Sequence, residues 1–491
     1  MVAAVSLVVP ATGSRAVGTI EAISFGSTVT RTATRLPMTV DAISVSRSGP
    51  MSAAQIDALE LLGTQLAVPT ARGRSFNIGL ASVRRGDQYV QLASGPGGGQ
   101  WQFPMSATAL PVVAIGVVMS HTVSAVVAQG MVVLSATDAG LRGLGIKRPL
   151  LVTDTGIRAA GLLEQVHAAC PTAAIFDGTP TNPTEAAVLA ALELYQAQGC
   201  DGVIGLGGGS PIDLAKGVAL LATHPGPLAG YAAILSGVPR ITAATAPVVA
   251  IPTTAGTGSE VGRAALITLA DGRKLGFISP HLIPKAAICD PLLTLGLPPR
   301  LTAATGMDAV THCVETFLSP RYNPPAEAIA LDGLARAVAA IERAVADGGD
   351  RAAREQMLMA ALQGGLTFQK GLGAVHALSH PLGGLKEPSL HHGTLNAVLL
   401  PTVLRFNEPA AADKYRTLRR TLGLAEGSSL PDYFSALTAR LGLPASLRQM
   451  GVPEACLPAI AHQATLDHSA ATNPRPASEA EFLAMLREAM G

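Results

Sequence analysis

Val203-Ile204-Gly205-Leu206-Gly207-Gly208-Gly209-Ser210-Pro211-Ile212-Asp213-Leu214-Ala215-Lys216 is the stretch on which the fold turns. Val203–Leu206 reads as the end of a buried strand, and the three glycines after it as a turn whose backbone can approach a ligand closely. Ser210 suits the N-cap of a following helix and Pro211 its first position. A strand, a glycine turn and a helix start leave free N–H groups and the positive end of the helix dipole aimed at one point, which suits a phosphate. The run matches neither G-x-G-x-x-G nor the Walker A pattern, and by itself it also reads as a tight turn.

Outward from this stretch, short apolar runs alternate with helical patterns: Leu150–Val152, Ala174–Phe176, Val203–Leu206, Val248–Ile251 and Ala286–Ile288. That alternation predicts a parallel sheet between helices over residues 141–297. Thr253-Thr254-Ala255-Gly256-Thr257-Gly258-Ser259 follows the strand at 248–251 and suits phosphate, ribose or a carboxamide, or a plain turn. Asp154 ends the strand at 150–152. It can bind ribose hydroxyls and repel a 2′-phosphate, favouring NAD over NADP, or it can cap the next helix.

Leu297-Pro298-Pro299-Arg300 forms a joint, after which the pattern is helical, with Pro325–Val345, Arg351–Phe368 and Asn396–Phe406 as its clearest segments and a capping box from Ser478 and Glu481 on the last one. Residues 298–491 therefore read as an all-α domain. Within it lie Gly306-Met307-Asp308-Ala309-Val310-Thr311-His312 and the segment from His376 to Gly393. Asp308 and His312, four apart on a helix, share one face. With His376 and His392 they would make a mixed N/O site for a divalent transition metal. Any one of these histidines is equally a core residue, but five of the chain's 11 fall in these two motifs.

These motifs together resemble the iron-containing (group III) alcohol dehydrogenases from about residue 141 to the C-terminus. The resemblance is carried by Val152-Thr153-Asp154, Asn182-Pro183-Thr184, Gly207 to Asp213, Thr253 to Glu260, Asp290-Pro291, Gly306 to Ala309, His376 to Gly393 and Thr472 to Pro476. It implies a dehydroquinate synthase-like architecture, with a nucleotide-binding α/β domain before a helical metal-binding domain. It implies Asp308, His312, His376 and His392 as ligands of Fe²⁺ or Zn²⁺, and His380 as a proton-relaying residue beside the nicotinamide. Asp154, Asn182, Gly208, Gly209, Ser210, Asp213, Thr253, Thr254, Thr257, Ser259 and Lys274 fall at positions around NAD. The run after His380 is longer than the family's usual one and ends in two histidines, so His391 stands beside His392 as a candidate. The activity implied is hydride transfer between NAD(H) and a small primary alcohol or aldehyde, hydroxy acids included, in a cytoplasmic homodimer or larger homo-oligomer. The rivals are a glycerol dehydrogenase-like or maleylacetate reductase-like enzyme and a non-catalytic nucleotide-binding protein of the same fold.

Composition fits this reading. A net charge of +1 without basic runs argues against a nucleic-acid partner, and five cysteines without a C-x-x-C pair argue against a disulfide framework. Aromatic residues make up 3% of the chain, so no large stacking pocket is announced; Phe317, Phe368 and Leu372 are pocket candidates by position alone. Residues 1–140 contain no lysine and little periodicity, and read as an atypical extension, disordered or mistranslated, rather than an added domain. Ile23–Ser27 only faintly echoes the family's opening strand. Ala109–Ala136 is long enough to span a membrane, but Pro111, His121 and Gln129 and the lack of basic flanks argue against a span.

Overall fold

The computed structural model describes residues 140–491 except 386, together with Thr137 and the backbone of six short strands further upstream. The chain divides into two compact units, Met1–Val113 and Ala114–Gly491. In the first, β1 (Ser44–Val45), β4 (Leu80–Arg85) and β5 (Gln88–Ala93) form one sheet, and β2 (Ala67–Pro69) pairs with β3 (Ser75–Asn77). The rest of that unit, including Ile23–Ser27, lies outside the described residues. So does the apolar run at 109–136, apart from β6 (Gly116–Met119). No helix among the described residues is long and apolar enough to cross a membrane.

The second unit is built on a six-stranded parallel sheet in the order β6, β13 (Ala286–Cys289), β10 (Val248–Pro252), β9 (Gly202–Gly207), β7 (Pro149–Val152), β8 (Ala174–Phe176). Every residue of β7, β9 and β10 is buried. Such unbroken apolar strands need helices on both faces. Around them lie α1 (Thr155–Ala159), α2 (Leu162–His167), α3 (Glu185–Ala197) and α4 (Gly209–Leu221). β9 and β10 run in register to their ends, with Pro252 opposite Gly207, so the glycine turn and the Thr-rich run leave the same edge of the sheet. In open α/β sheets that edge, at the carboxyl ends of the strands, is where ligands sit.

One element has no counterpart in the sequence reading. β11 (Ala264–Thr268) and β12 (Lys274–Ile278) form an antiparallel hairpin with alternating burial, turning at Asp271-Gly272, where Gly272 has φ +87°. An Asp-Gly pair between alternating segments is a strong hairpin signal.

The helical part begins where the proline joint ends. Pro299 occupies the first turn of α5 (Pro299–Leu318), where a missing N–H costs nothing. From Thr302 to Leu318 every residue of α5 is buried, as befits a helix enclosed by others. α6 (Pro324–Ala346), α7 (Arg351–Thr367), α8 (Ala374–Leu382) and α9 (His392–Asn407) pack about it in one apolar core, followed by α10 (Ala412–Thr421), α11 (Leu430–Arg440), α12 (Leu457–Leu466) and α13 (Glu479–Ala489). The Ser478–Glu481 capping box opens α13 as read from the sequence. α9 starts one turn earlier than the periodicity predicts, so His392 lies inside the helix.

Candidate active site

α5 carries Asp308 and His312, α8 carries His376 and His380, and α9 carries His392 in its first turn. Asp308 Oδ1 lies 3.7 Å from His312 Nε2, 3.8 Å from His376 Nε2 and 3.6 Å from His392 Nε2. Ligands about 2.1 Å from a tetrahedral metal stand roughly 3.4 Å apart. One ligand atom from each of Asp308, His376 and His392 lies within 4.8 Å of the other two, and His312 Nε2 joins this group at Asp308. Their close approach depends on small residues. A Cβ on Gly393 would lie 2.1 Å from the Ala304 carbonyl oxygen, so only glycine lets the start of α9 rest on α5. A Cβ on Gly364 would likewise press the His312 Cβ at 3.0 Å.

The electronic state of the set also suits a cation. His376 Nδ1 is 2.6 Å from Glu315 Oε2, and Glu315 Oε1 accepts the Val375 N–H at 2.7 Å. This contact fixes the His376 ring and leaves Nε2 facing Asp308, in the manner of outer partners of metal-bound histidines. Burial pushes the Glu315 carboxyl up to about 7, against the N–H groups of Val375 and Gly373 that favour its charge. Burial, reinforced by neighbouring histidines, holds both His376 and His392 well below the usual imidazole range, so both offer lone pairs. His312 Nδ1 is buried with no partner among the described residues. Imidazoles turned toward one buried carboxylate oxygen, none within hydrogen-bond reach of it, fit a divalent metal.

Asn396, one turn after His392, donates from Nδ2 to Asp308 Oδ1 at 2.8 Å, and Nδ2 lies 3.4 and 3.2 Å from His376 and His392 Nε2. His391 is the N-cap residue of α9, and its Nδ1 is buried without a partner among the described residues. His380 is parallel to His392 at 5.6 Å between ring centroids, and its Nδ1 is held 2.9 Å from Asp467 Oδ2. Of the pocket candidates, Phe368 approaches the His312 ring at 5.3 Å, whereas Phe317 lies against Lys414 and Leu372 gives its carbonyl to Thr472.

The dinucleotide candidates divide into those that line the glycine turn and those that brace it. α4 starts at Gly209 with Gly208 as N-cap, and no side chain caps it. Ser210 is therefore not the cap; its hydroxyl donates to the Thr181 carbonyl. A Cβ on Gly209 would lie 2.7 Å from Thr257 Cγ2, and one on Gly208 3.4 Å from Thr254 Oγ1. The turn is thus a glycine cradle with free N–H groups at the N-terminus of a 13-residue helix, which fits a pyrophosphate. Thr253 Oγ1 is buried and without a partner among the described residues.

Asp213 and Ser259 are engaged in bracing. Asp213 accepts the Ser259 hydroxyl at 2.5 Å and the Leu266 N–H at 2.9 Å, while the fully buried Lys216 Nζ donates to Ser259 Oγ, Gly262 O and Ala264 O. Lys274 Nζ donates to Asn182 Oδ1 at 2.9 Å. Asp154 Oδ1 accepts the Ile157 N–H at 2.9 Å, so the helix-capping reading of this residue is realised.

Sequence reasoning passed over Glu315, Asn396 and Asp467. For the first two a signal existed: Glu315 follows Asp308 by seven residues on α5, and Asn396 follows His392 by four on α9, each a helix-face repeat. Asp467 meets His380 only through tertiary packing.

Two family models match nearly all of this unit: iron-containing alcohol dehydrogenase over residues 125–291, and the C-terminal region of the same family over residues 302–490. A 4-hydroxybutyrate dehydrogenase of Cupriavidus necator is 56% identical over 356 residues, covering 71% of this chain and 93% of its own. A 1,3-propanediol dehydrogenase of Citrobacter freundii is 40% identical, covering 70% of this chain and 92% of its own. Among solved structures, a 1,3-propanediol oxidoreductase superposes with a TM-score of 0.69 at 38% identity, over 72% of this chain and 95% of the other. The chain belongs to the iron-containing alcohol dehydrogenase family. It is an oxidoreductase of that family acting on alcohols.

Proposed function

We propose that the chain interconverts a small primary alcohol and its aldehyde with NAD(H), using a divalent iron held by Asp308, His312, His376 and His392, and that its substrate is an ω-hydroxy acid of the 4-hydroxybutyrate kind. The observation that carries the reaction is the convergence of three imidazole Nε2 atoms on Asp308 Oδ1 at 3.6–3.8 Å. The substrate class rests on the relative named 4-hydroxybutyrate dehydrogenase, 56% identical. His392 is taken as the ligand in preference to His391 because its Nε2 faces Asp308.

The iron supplies Lewis acidity at the alcohol oxygen, one carboxylate and three neutral imidazoles leaving it about one net positive charge. NAD supplies the hydride acceptor at its nicotinamide ring. The remaining work belongs to this chain's side chains. Glu315 orients His376, and Asn396 holds Asp308. Gly208 and Gly209 present N–H groups to the cofactor pyrophosphate, and Thr253, Thr254 and Thr257 surround it. Asp213, Ser259, Asn182 and Lys274 hold the framework around that cradle. With Nδ1 engaged by the Asp467 carboxylate, His380 keeps Nε2 available to hold the proton released by the alcohol. We take the working form to be a cytoplasmic homodimer or larger assembly.

The test is NADH oxidation by chelator-stripped protein resupplied with Fe²⁺ or Zn²⁺, comparing the aldehydes of 4-hydroxybutyrate and 1,3-propanediol. Fe²⁺-restored turnover, highest kcat/KM with the carboxylate-bearing aldehyde, is the expected result. Equal kcat/KM for both aldehydes would remove the hydroxy-acid assignment, restoration by Zn²⁺ alone would replace iron by zinc, and silence with both metals would remove the metal-dependent reaction.

A further inference from the structure

A second group of side chains able to ligate a metal lies beside the first and shares no residue with it. His380 comes from α8, and Asp467 and His468 directly follow α12. One ligand atom from each of the three lies within 4.8 Å of the other two. His380 Nδ1 is 2.9 Å from Asp467 Oδ2, and His468 Nδ1 is 3.6 Å from Asp467 Oδ1. The rings of His380 and His468 are stacked, 5.8 Å apart between centroids with 18° between their planes, and each turns Nδ1 toward the Asp467 carboxylate.

A purely structural reading would make Asp467 the hydrogen-bonding partner of two imidazoles. The His380 contact fits that reading. The His468 contact at 3.6 Å does not, because it is too long for a hydrogen bond, yet it is the separation of two ligands on one cation. Asp467 Oδ1 takes the Ser469 N–H at 2.8 Å, which aims the carboxylate. Burial would raise the Asp467 carboxyl, but the imidazoles of His380 and His468 more than offset this and keep it anionic. The His468 side chain is 53% exposed, against 11% for His380, so a cation in water meets the outer ligand first. The guanidinium of Arg263 lies near enough to act on His468 electrostatically and opposes positive charge there.

We propose that His380, Asp467 and His468 form a second divalent-cation site, of the two-imidazole, one-carboxylate chemistry that zinc prefers, whose occupation inhibits the enzyme. A cation on His380 Nδ1 takes the position of the proton that Nδ1 shares with Asp467. It also places a positive charge on the ring that holds the substrate's proton. The inhibition rests on the role of His380 given above; the site itself does not.

The protein is first loaded with one equivalent of metal, then dialysed against increasing Zn²⁺ and analysed for bound metal without turnover. Wild type is expected to take up a second equivalent. His468→Ala and His468→Asn, each shown folded by circular dichroism, are expected to bind it about tenfold or more weakly. Zinc inhibition of NADH oxidation should shift by the same factor in both variants. A wild type that stays at one equivalent overturns the proposal, as does a second equivalent bound equally by all three proteins. A second equivalent lost in both variants, from a protein that never oxidises NADH, supports the site and counts against the oxidoreductase reading alone.

Discussion

On the helical side, the proposed metal site is a set of side chains, Asp308, His312, His376 and His392, packed among Glu315, Asn396 and Gly393. On the sheet side, the proposed cofactor cradle at Gly208 and Gly209 relies on side chains that are absent, which leaves the backbone at the start of α4 open to approach. The first side is sensitive to what is removed from it and the second to what is added. Both lie next to the same joint: a Cβ on Gly256 would strike the Thr305 carbonyl oxygen on α5 at 2.6 Å, and one on Gly258 would meet Gly365 of α7 at 2.4 Å. The loop that follows β10 is therefore packed backbone to backbone against α5, which carries Asp308 and His312, and against α7.

The largest expected effect breaks the helical side. Asp308→Ala should lower kcat by about a thousandfold or more, because the Lewis acid supplies several kcal/mol and each ~1.4 kcal/mol is tenfold. Metal content measured on the same sample should fall with it, while NADH binding by fluorescence stays. Glu315→Gln should weaken metal binding by about 10- to 100-fold, the usual effect of losing an outer hydrogen bond to a ligand. A competitive chelator titration reads this directly, and unchanged affinity would remove Glu315 from the site.

Adding to the sheet side should give the opposite signature. Gly209→Ala places a Cβ 2.7 Å from Thr257 Cγ2, a crowding of about 1–3 kcal/mol. KM for NAD should rise about tenfold with metal content untouched. The double variant with Thr257→Ser, which removes the offending methyl, should recover most of the loss. No recovery would mean that the glycine is needed for its backbone and not for space.

The smallest effect concerns pH. Burial raises the Glu260 carboxyl from 4.5 to about 7, with its own backbone N–H and Lys216 opposing. The native state therefore binds this proton more tightly than the unfolded chain does. Its contribution to stability is present below 4.5 and lost as pH rises through about 7. Urea midpoints at pH 5 and pH 8 should differ less in Glu260→Gln than in wild type.

The two sides were not equally legible from sequence. The five parallel strands read from apolar runs are all present, because β7, β9 and β10 are buried on both faces and leave an unmistakable pattern. The gathering of Asp308, His312, His376 and His392 was legible because an i, i+4 pair and clustered histidines are local signals. The β11–β12 hairpin carried its own sign in Asp271-Gly272 and was overlooked. The residues that orient the site were hidden for a different reason. Glu315 meets His376 across 61 positions and Asp467 meets His380 across 87, so their roles exist only once the helices have packed.

Lys216 has one more consequence. Its ammonium group is shut away from water and shared among Ser259, Gly262 and Ala264, while Asp213 on the same helix holds Ser259 and Leu266. The helix that opens the glycine cradle is thus bolted to the neighbouring hairpin before any cofactor arrives. A dinucleotide entering it would find its anchoring amides already in place, and little of the affinity would be spent on ordering the loop. Cofactor exchange, which a floppy loop would tie to slow rearrangement, can then run on the time scale of diffusion and release.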